Sequence, residues 1–124
     1  MVDIIKPLNG AVVMSQDLTK LRELFSKCSK VIAAVGDETR QSIVIALMEG
    51  GAAGMRVGAL TEKTNLSRPA VSHHLKVLRE AGIVYMYKKG TMNFYYLNSD
   101  KVTISNMLLL CQSILEAIEG SNVG

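Results

Sequence analysis

The chain has 124 residues, 48% of them apolar, 5% aromatic and none tryptophan, with a formal net charge of +3. That length suits one domain with a modest core, and so high an apolar share in so short a chain reserves surface for a partner subunit. No unbroken apolar run reaches the ~18 residues of a membrane span, and the start of the chain, with Asp3 and Lys6 around a short apolar pair, lacks a secretory hydrophobic region.

Residues 1–15 show little periodicity and read as a flexible segment, with Pro7, Asn9 and Gly10 in a loop. A helix follows over 17–35, where Leu18, Leu21, Phe25, Cys28, Ile32 and Val35 recur at helical spacing and Gly36 ends the run. Asp37 caps a second helix over 38–49 whose inner face carries Ile43 and Leu47. The stretch GGAAG, Gly50–Gly54, is too glycine-rich for a helix interior and reads as a break. A short helix near 56–64 comes next, with Val57, Leu60 and Thr61 on one side. Asn65 and Leu66 form a turn, Ser67 is an N-cap, and Pro69 falls in the first turn of a helix that runs from Arg68 to a stop at Gly82. Two short helices joined by a tight turn, the second strongly capped, form a helix-turn-helix pattern.

The period then changes. IVYMY (Ile83–Tyr87), the turn KKGTM (Lys88–Met92) and NFYYL (Asn93–Leu97) read as a two-stranded hairpin. A last helix covers 101–119, capped by Ser99 or Asp100, and residues 120–124 read as a tail. Met107–Cys111 is continuously apolar, an arc wide enough to suit burial between subunits. The fold class is therefore mainly α with a small β-hairpin: about five helices and a two-stranded wing, with residues 16–119 as one domain.

Charge is unevenly placed. From Arg56 to Lys89 there are seven basic residues against Glu62 and Glu80, while the remainder has seven basic and nine acidic residues. A basic middle between slightly acidic ends is the footprint of a nucleic-acid surface.

Two adjacent histidines sit in the capped helix, and the helical period separates them. Val71, His74, Leu75 and Leu78 share the inner face, so His74 borders the core and takes a hydrogen bond there. Pro69, Ser72, His73 and Lys76 share the opposite face. Neighbours pointing about 100° apart make a poor metal site, and no cysteine or carboxylate stands close enough to complete one. A general base needs a carboxylate partner or an oriented substrate, and the nearest acid, Glu80, lies near the far end of the helix. The reading is no metal, no cofactor, no catalytic residue and no enzyme. What remains is a DNA-contacting face of Ser67, Arg68, Ser72, His73, Lys76 and Arg79, extended by Lys88, Lys89 and Asn93 on the wing.

The run AVGDETRQSIVIALMEG, followed by LTEKTNLSRPAVSHHLKVLREAGIV and KKGTMNFYYL, resembles the ArsR/SmtB family of bacterial winged-helix repressors over about residues 33–97. The resemblance implies a cytoplasmic homodimer in a bacterial or archaeal cell. It binds a palindromic double-stranded operator and blocks transcription. It dimerises through its terminal helices, which here would place Leu18, Leu21, Phe25, Leu108, Cys111 and Leu115 at the interface. Many relatives release DNA when metal binds, but the stretch matching one family metal site, MRVGAL, has no cysteine, and no histidine follows Asp100 as the other site needs. Cys28 and Cys111, the only cysteines, read first as small buried hydrophobes in a reducing compartment. A thiol-sensing repressor using that pair is an alternative, although their placement departs from the family pattern. Two further alternatives are a winged-helix protein-interaction module without operator recognition, and an activator of the same fold.

Overall fold

The protein is described by a computed structural model covering the backbone of residues 10–98 and 100–123 and the side chains of 18–98 and 100–120. The expected loop at Pro7 and Asn9 and the alternative cap at Ser99 lie outside the described residues. The elements are α1 (Gly10–Val35), α2 (Glu38–Gly50), a 3-10 turn (Gly51–Ala53), α3 (Val57–Thr64), α4 (Arg68–Glu80), β1 (Val84–Lys89), β2 (Met92–Leu97) and α5 (Val102–Val123). Contacts gather them into two compact units, one drawn from residues up to Ser29 and from Ile104 onward, the other Lys30–Thr103.

In the second unit each helix begins and ends for a local reason. Asp37 is extended and its carboxylate takes the Thr39 N–H at 2.7 Å, which opens α2. Asn65, at φ 59, closes α3 in the left-handed region, and its N–H returns to the Thr61 carbonyl. Ser67 takes the Ala70 N–H at 3.2 Å, with Pro69 in the first turn of α4. Gly82, at φ +78, ends that helix. Its N–H reaches the Arg79 carbonyl and the Ile83 N–H reaches Leu78, both at 3.0 Å, which is the Schellman arrangement.

Seven fully buried side chains, Ile43, Leu47, Leu60, Val71, Leu75, Leu78 and Val84, come from α2, α3, α4 and β1. Each contributes about 1.5–3 kcal/mol by leaving water, and three of them lie on α4. The core therefore fixes the rotation of α4 about its own axis.

The hairpin is longer than the sequence pattern suggests. Val84 pairs with Leu97 and Lys89 with Met92, leaving a two-residue turn at Gly90–Thr91. The expected five-residue turn Lys88–Met92 is thus corrected: Lys88, Lys89 and Met92 belong to the ladder, because two residues suffice to reverse an antiparallel pair. Met55 adds a single bridge to β2, exchanging bonds with Tyr95 at 2.7 and 2.8 Å. Gly54 permits that approach, since a Cβ there would stand 2.8 Å from the Tyr95 carbonyl oxygen.

The first unit contains most of α1 and α5. Leu21 and Leu24 of α1 and Leu109 and Ala117 of α5 line a groove of about 370 Å³, and Cys28 and Leu110 are buried. Two helix boundaries differ from expectation. Gly10, expected in a loop, opens α1 seven residues before the predicted start at 17, and α5 continues through 120–123 in place of a tail. Neither stretch contains a proline, and extending a formed helix adds one bond for each residue fixed. Asp100 takes the Val102 N–H at 3.0 Å, beside the first turn of α5.

Residues Val102–Gly120 of α5 have a mean hydropathy of 1.3 and are long and apolar enough to cross a membrane by length and composition. The sequence expectation of no such span rested on an unbroken apolar run. Asn106, Gln112 and Glu116 interrupt the run without lowering the average below that level.

Candidate nucleic-acid interface

The burial of Val71, Leu75 and Leu78 turns the other side of α4 outward. Ser67, Arg68, Ser72, His73, Lys76 and Arg79 are all exposed, whereas His74 is half-buried. The two histidines diverge as the helical period requires, with ring centroids 5.6 Å apart.

The charges on this side are uncommitted. Among the described residues the ion pairs are Arg40–Asp37 at 3.3 Å and Lys63–Glu49 at 2.8 Å. Arg56, Arg68, Lys76, Arg79, Lys88 and Lys89 belong to neither. Lys76, Arg79 and Glu80 face Val84, Tyr85 and Met86 across a groove of about 490 Å³ between α4 and β1. Arg56 and Arg68 flank a second groove of about 470 Å³ with Gly58, Ala59 and Phe94. Sequence reasoning counted Arg56 in the basic stretch but did not place it beside Arg68.

The wing separates its two lysines. Lys88 lies opposite Asn93 and Lys89 opposite Met92, so successive side chains leave on opposite faces of the ladder. Lys89 shares its face with Tyr85, Tyr87, Phe94 and Tyr96. Tyr87 stacks on Phe94 at 5.3 Å and meets Tyr96 at 5.8 Å, while Tyr85 meets Tyr96 edge-on at 6.2 Å. The Tyr87 hydroxyl donates to the Ala53 carbonyl at 2.8 Å, tying the wing to the 3-10 turn. Asn93 is half-buried, unlike the other sequence-predicted contacts, and its Oδ1 is buried without a hydrogen-bond partner among the described residues.

Arg40 was not singled out by sequence reasoning. Its Nε donates to the Ala34 carbonyl at 2.8 Å and its Nη2 to Ala33 at 3.2 Å. Gln41 donates to Val35 at 2.7 Å. Two neighbouring side chains thus satisfy carbonyls that the end of α1 leaves without helical partners. Arg40 Nη1 stands 3.3 Å from both the Asp37 carboxylate and His74 Nδ1. Asp37 is held below the ordinary carboxylate range, chiefly by the Thr39 N–H and then by Arg40. The signal in the sequence was the Asp-x-x-Arg spacing of DETR, one helical turn apart.

The remaining sequence-predicted positions lie on α1 and α5. Cys28 is buried as expected, and Cys111 is exposed on the single chain, so its reading as a buried hydrophobe stands or falls with the dimer interface. Leu18, Phe25, Leu108 and Leu115 are exposed and Leu21 is half-buried. Among the described residues no three His, Cys, Asp or Glu side chains gather to hold a metal ion.

Residues 37–86 match the family described as bacterial regulatory protein, arsR family. An HTH-type transcriptional regulator from Methanocaldococcus jannaschii is 40% identical over 80 residues, covering 64% of this chain and 88% of that protein. The transcriptional repressor SdpR of Bacillus subtilis is 37% identical over 71 residues, covering 57% and 76%. The structure of reduced HlyU from Vibrio cholerae, named a transcriptional activator, is similar with a TM-score of 0.59 at 30% identity, covering 73% of this chain and 92% of that one. The exposed, uncommitted cations on a capped second helix and its adjoining wing agree with these relationships. The chain belongs to the arsR family of bacterial regulatory proteins: it is a winged helix-turn-helix, DNA-binding transcriptional regulator, and not an enzyme.

Proposed function

We propose that the protein is a cytoplasmic homodimeric repressor that binds a palindromic operator with α4 in the major groove and the wing along the backbone. The observation that carries this reading is the outward face of α4, where Arg68, Lys76 and Arg79 are exposed and, among the described residues, form no ion pair, above three buried apolar residues. Guanidinium and ammonium groups so placed can read guanine edges or neutralise phosphates, and Ser72 and His73 add shorter polar contacts. Ser67, Lys88, Lys89 and Asn93 complete the proposed contact set.

The exposed apolar seam of α5 supports the dimer. Its exposed apolar residues Ile104, Leu108, Cys111, Leu115 and Ile118 recur at alternating steps of four and three, the spacing of a helix seam. A second copy of the same helix presents the matching seam, with Leu18, Leu21 and Phe25 of α1 beside it. A seam within the chain's own dimer accounts for the apolar length of α5 without a membrane.

Selection of bound duplexes from a random pool tests both parts. The expected product is an inverted repeat with half-sites about 10 base pairs apart, or a multiple of that turn. Recovery of no preferred sequence would favour a protein-interaction module. The name of HlyU supports activation as a second reading, since the direction of regulation follows promoter position. A reporter carrying the selected site upstream of, or overlapping, a promoter separates the two.

A further inference from the structure

Among the described residues Arg40 is the most heavily engaged side chain in the winged unit. Its guanidinium joins three elements: the last turn of α1 through Ala33 and Ala34, the cap of α2 through Asp37, and α4, distant in sequence, through His74. Its three nitrogens each have a hydrogen-bond partner there, and Nη1 also stands in the ion pair with Asp37. A cation also suits the C-terminal end of α1, where carbonyl oxygens concentrate negative charge.

The contact with His74 has a fixed polarity. A guanidinium donates and never accepts, so His74 Nδ1 must be the acceptor in the 3.3 Å contact. The contact is a hydrogen bond only with the ring proton on Nε2 and Nδ1 bare. A protonated imidazole carries hydrogens on both nitrogens. It would turn an N–H toward Nη1 and place a second positive charge beside the guanidinium. The charged or titratable groups recorded around His74 are Arg40 and Asp37 from the α2 end and His73 on its own helix. Asp37 is engaged by Thr39 and Arg40, and a positive charge at His74 is the last of the influences that lower its carboxyl, so the carboxylate and the guanidinium act on that ring in opposite directions.

We infer that Arg40 is a positioning residue for DNA binding. It holds α4 against the end of α1 and the cap of α2 through a bond that only neutral His74 can accept, so protonation of His74 loosens the recognition helix and weakens the grip on DNA. This rests on the DNA-binding reading of α4, but the bond itself is testable without DNA. His74 sits on the inner side of α4, one residue from the exposed His73 that faces the proposed groove. The two rings therefore have opposite effects. A proton on His73 adds a cation to the DNA-facing side, whereas a proton on His74 removes an anchor from the back.

Two measurements decide the matter. Nitrogen-15 correlation spectra of the imidazole rings in the free protein report the tautomer, and the expected result is His74 with its proton on Nε2. A proton on Nδ1 overturns the inference. Binding to the selected duplex is then followed from pH 8 to pH 5 in His73→Asn protein, to silence the outer ring, and in the same protein carrying His74→Asn or His74→Gln. Asn sets an amide oxygen close to the position of Nδ1 and cannot titrate, so His74→Asn keeps its affinity at pH 8 and loses the pH dependence. Gln places its polar atoms further out and binds more weakly at every pH. The expected acid weakening in His73→Asn protein is about fivefold per subunit, the factor an ordinary net hydrogen bond supplies. An identical pH profile with and without His74→Asn overturns the inference. Protein that binds no duplex at any pH overturns the DNA reading and the coupling with it, while the spectra still decide the bond.

Discussion

Replacing Lys76 and Arg79 together by alanine removes two exposed cations from one wall of the groove between α4 and β1. Neither forms an ion pair among the described residues, and neither supports the core. The free energy of unfolding is therefore expected to stay within about 0.5 kcal/mol of the parent. DNA binding responds differently. Each cation that neutralises a phosphate adds about 0.9 to the slope of log K against log salt, so two cations in each of two subunits account for about 3.6. Between about 50 and 200 mM salt that slope amounts to roughly two decades in affinity. Fluorescence anisotropy with the selected duplex at several salt concentrations measures it. The parent should lose about a hundredfold more affinity across that range than the double variant does. An unchanged slope refutes the placement of this groove on the DNA backbone. A slope lowered by half, with relaxed preference at one base position, would assign one of the two residues to base reading instead.

The wing supplies a contrasting case. Because Lys88 and Lys89 leave the ladder on opposite faces, one single alanine substitution should carry most of the joint change in salt slope, and equal shares measured by the same titration would contradict the observed register. Gly82→Ala forces a side chain into φ +78 with its Cβ 3.3 Å from Thr103 Oγ1; chemical denaturation should show a loss of about 1–2 kcal/mol. Asp37 titrates below the ordinary carboxylate range in the fold, so its contribution is present above the unfolded value of about 3.9 and is lost as pH falls through the lower, folded value. Asp37→Asn should flatten the acid limb of a stability–pH curve below about pH 5, and a limb of undiminished steepness would place the acid sensitivity elsewhere.

Local chemistry was enough to find most boundaries in the winged unit. Asp37 and Ser67 each take a backbone N–H as the cap pattern predicts, and Gly82 sits in the left-handed position at the helix end. The inward and outward sides of α4 followed from its period, because three apolar residues at steps of four and three must share a core. Other boundaries depend on what the sequence pattern does not carry. A helix start such as Gly10 has no acidic residue in its first turn to mark it. The strands run through Lys88 and Lys89 because the register of the hairpin sets their length, and lysine pairs are poor strand signals. Arg40 escaped for a related reason. Only Asp37 among its partners is a helical neighbour; the Ala33 and Ala34 carbonyls and His74 become partners through the packing of α1, α2 and α4.

The distribution of acidic side chains explains how a chain of net charge +3 can present a concentrated basic face. Asp37 pairs with Arg40 and Glu49 with Lys63. The partners lie on α2, at its N-cap or on α3, so neither pair draws on the outward side of α4. Arg40, by contrast, has a side chain only 15% exposed, and its three nitrogens all have partners within the protein. Arg68, Lys76 and Arg79 have the opposite character: they are exposed and form no ion pair among the described residues. The same residue type thus performs two tasks according to what surrounds it. Half-buried beside carbonyls and an imidazole nitrogen, a guanidinium ties one helix to its neighbours; exposed on the outward side of a helix, it is available to phosphate and base. Arginine suits both because its fork can make several bonds at once and its charge does not titrate near neutral pH. The arginines and lysines facing outward keep their charge across the neutral range, so they supply no pH dependence of their own there.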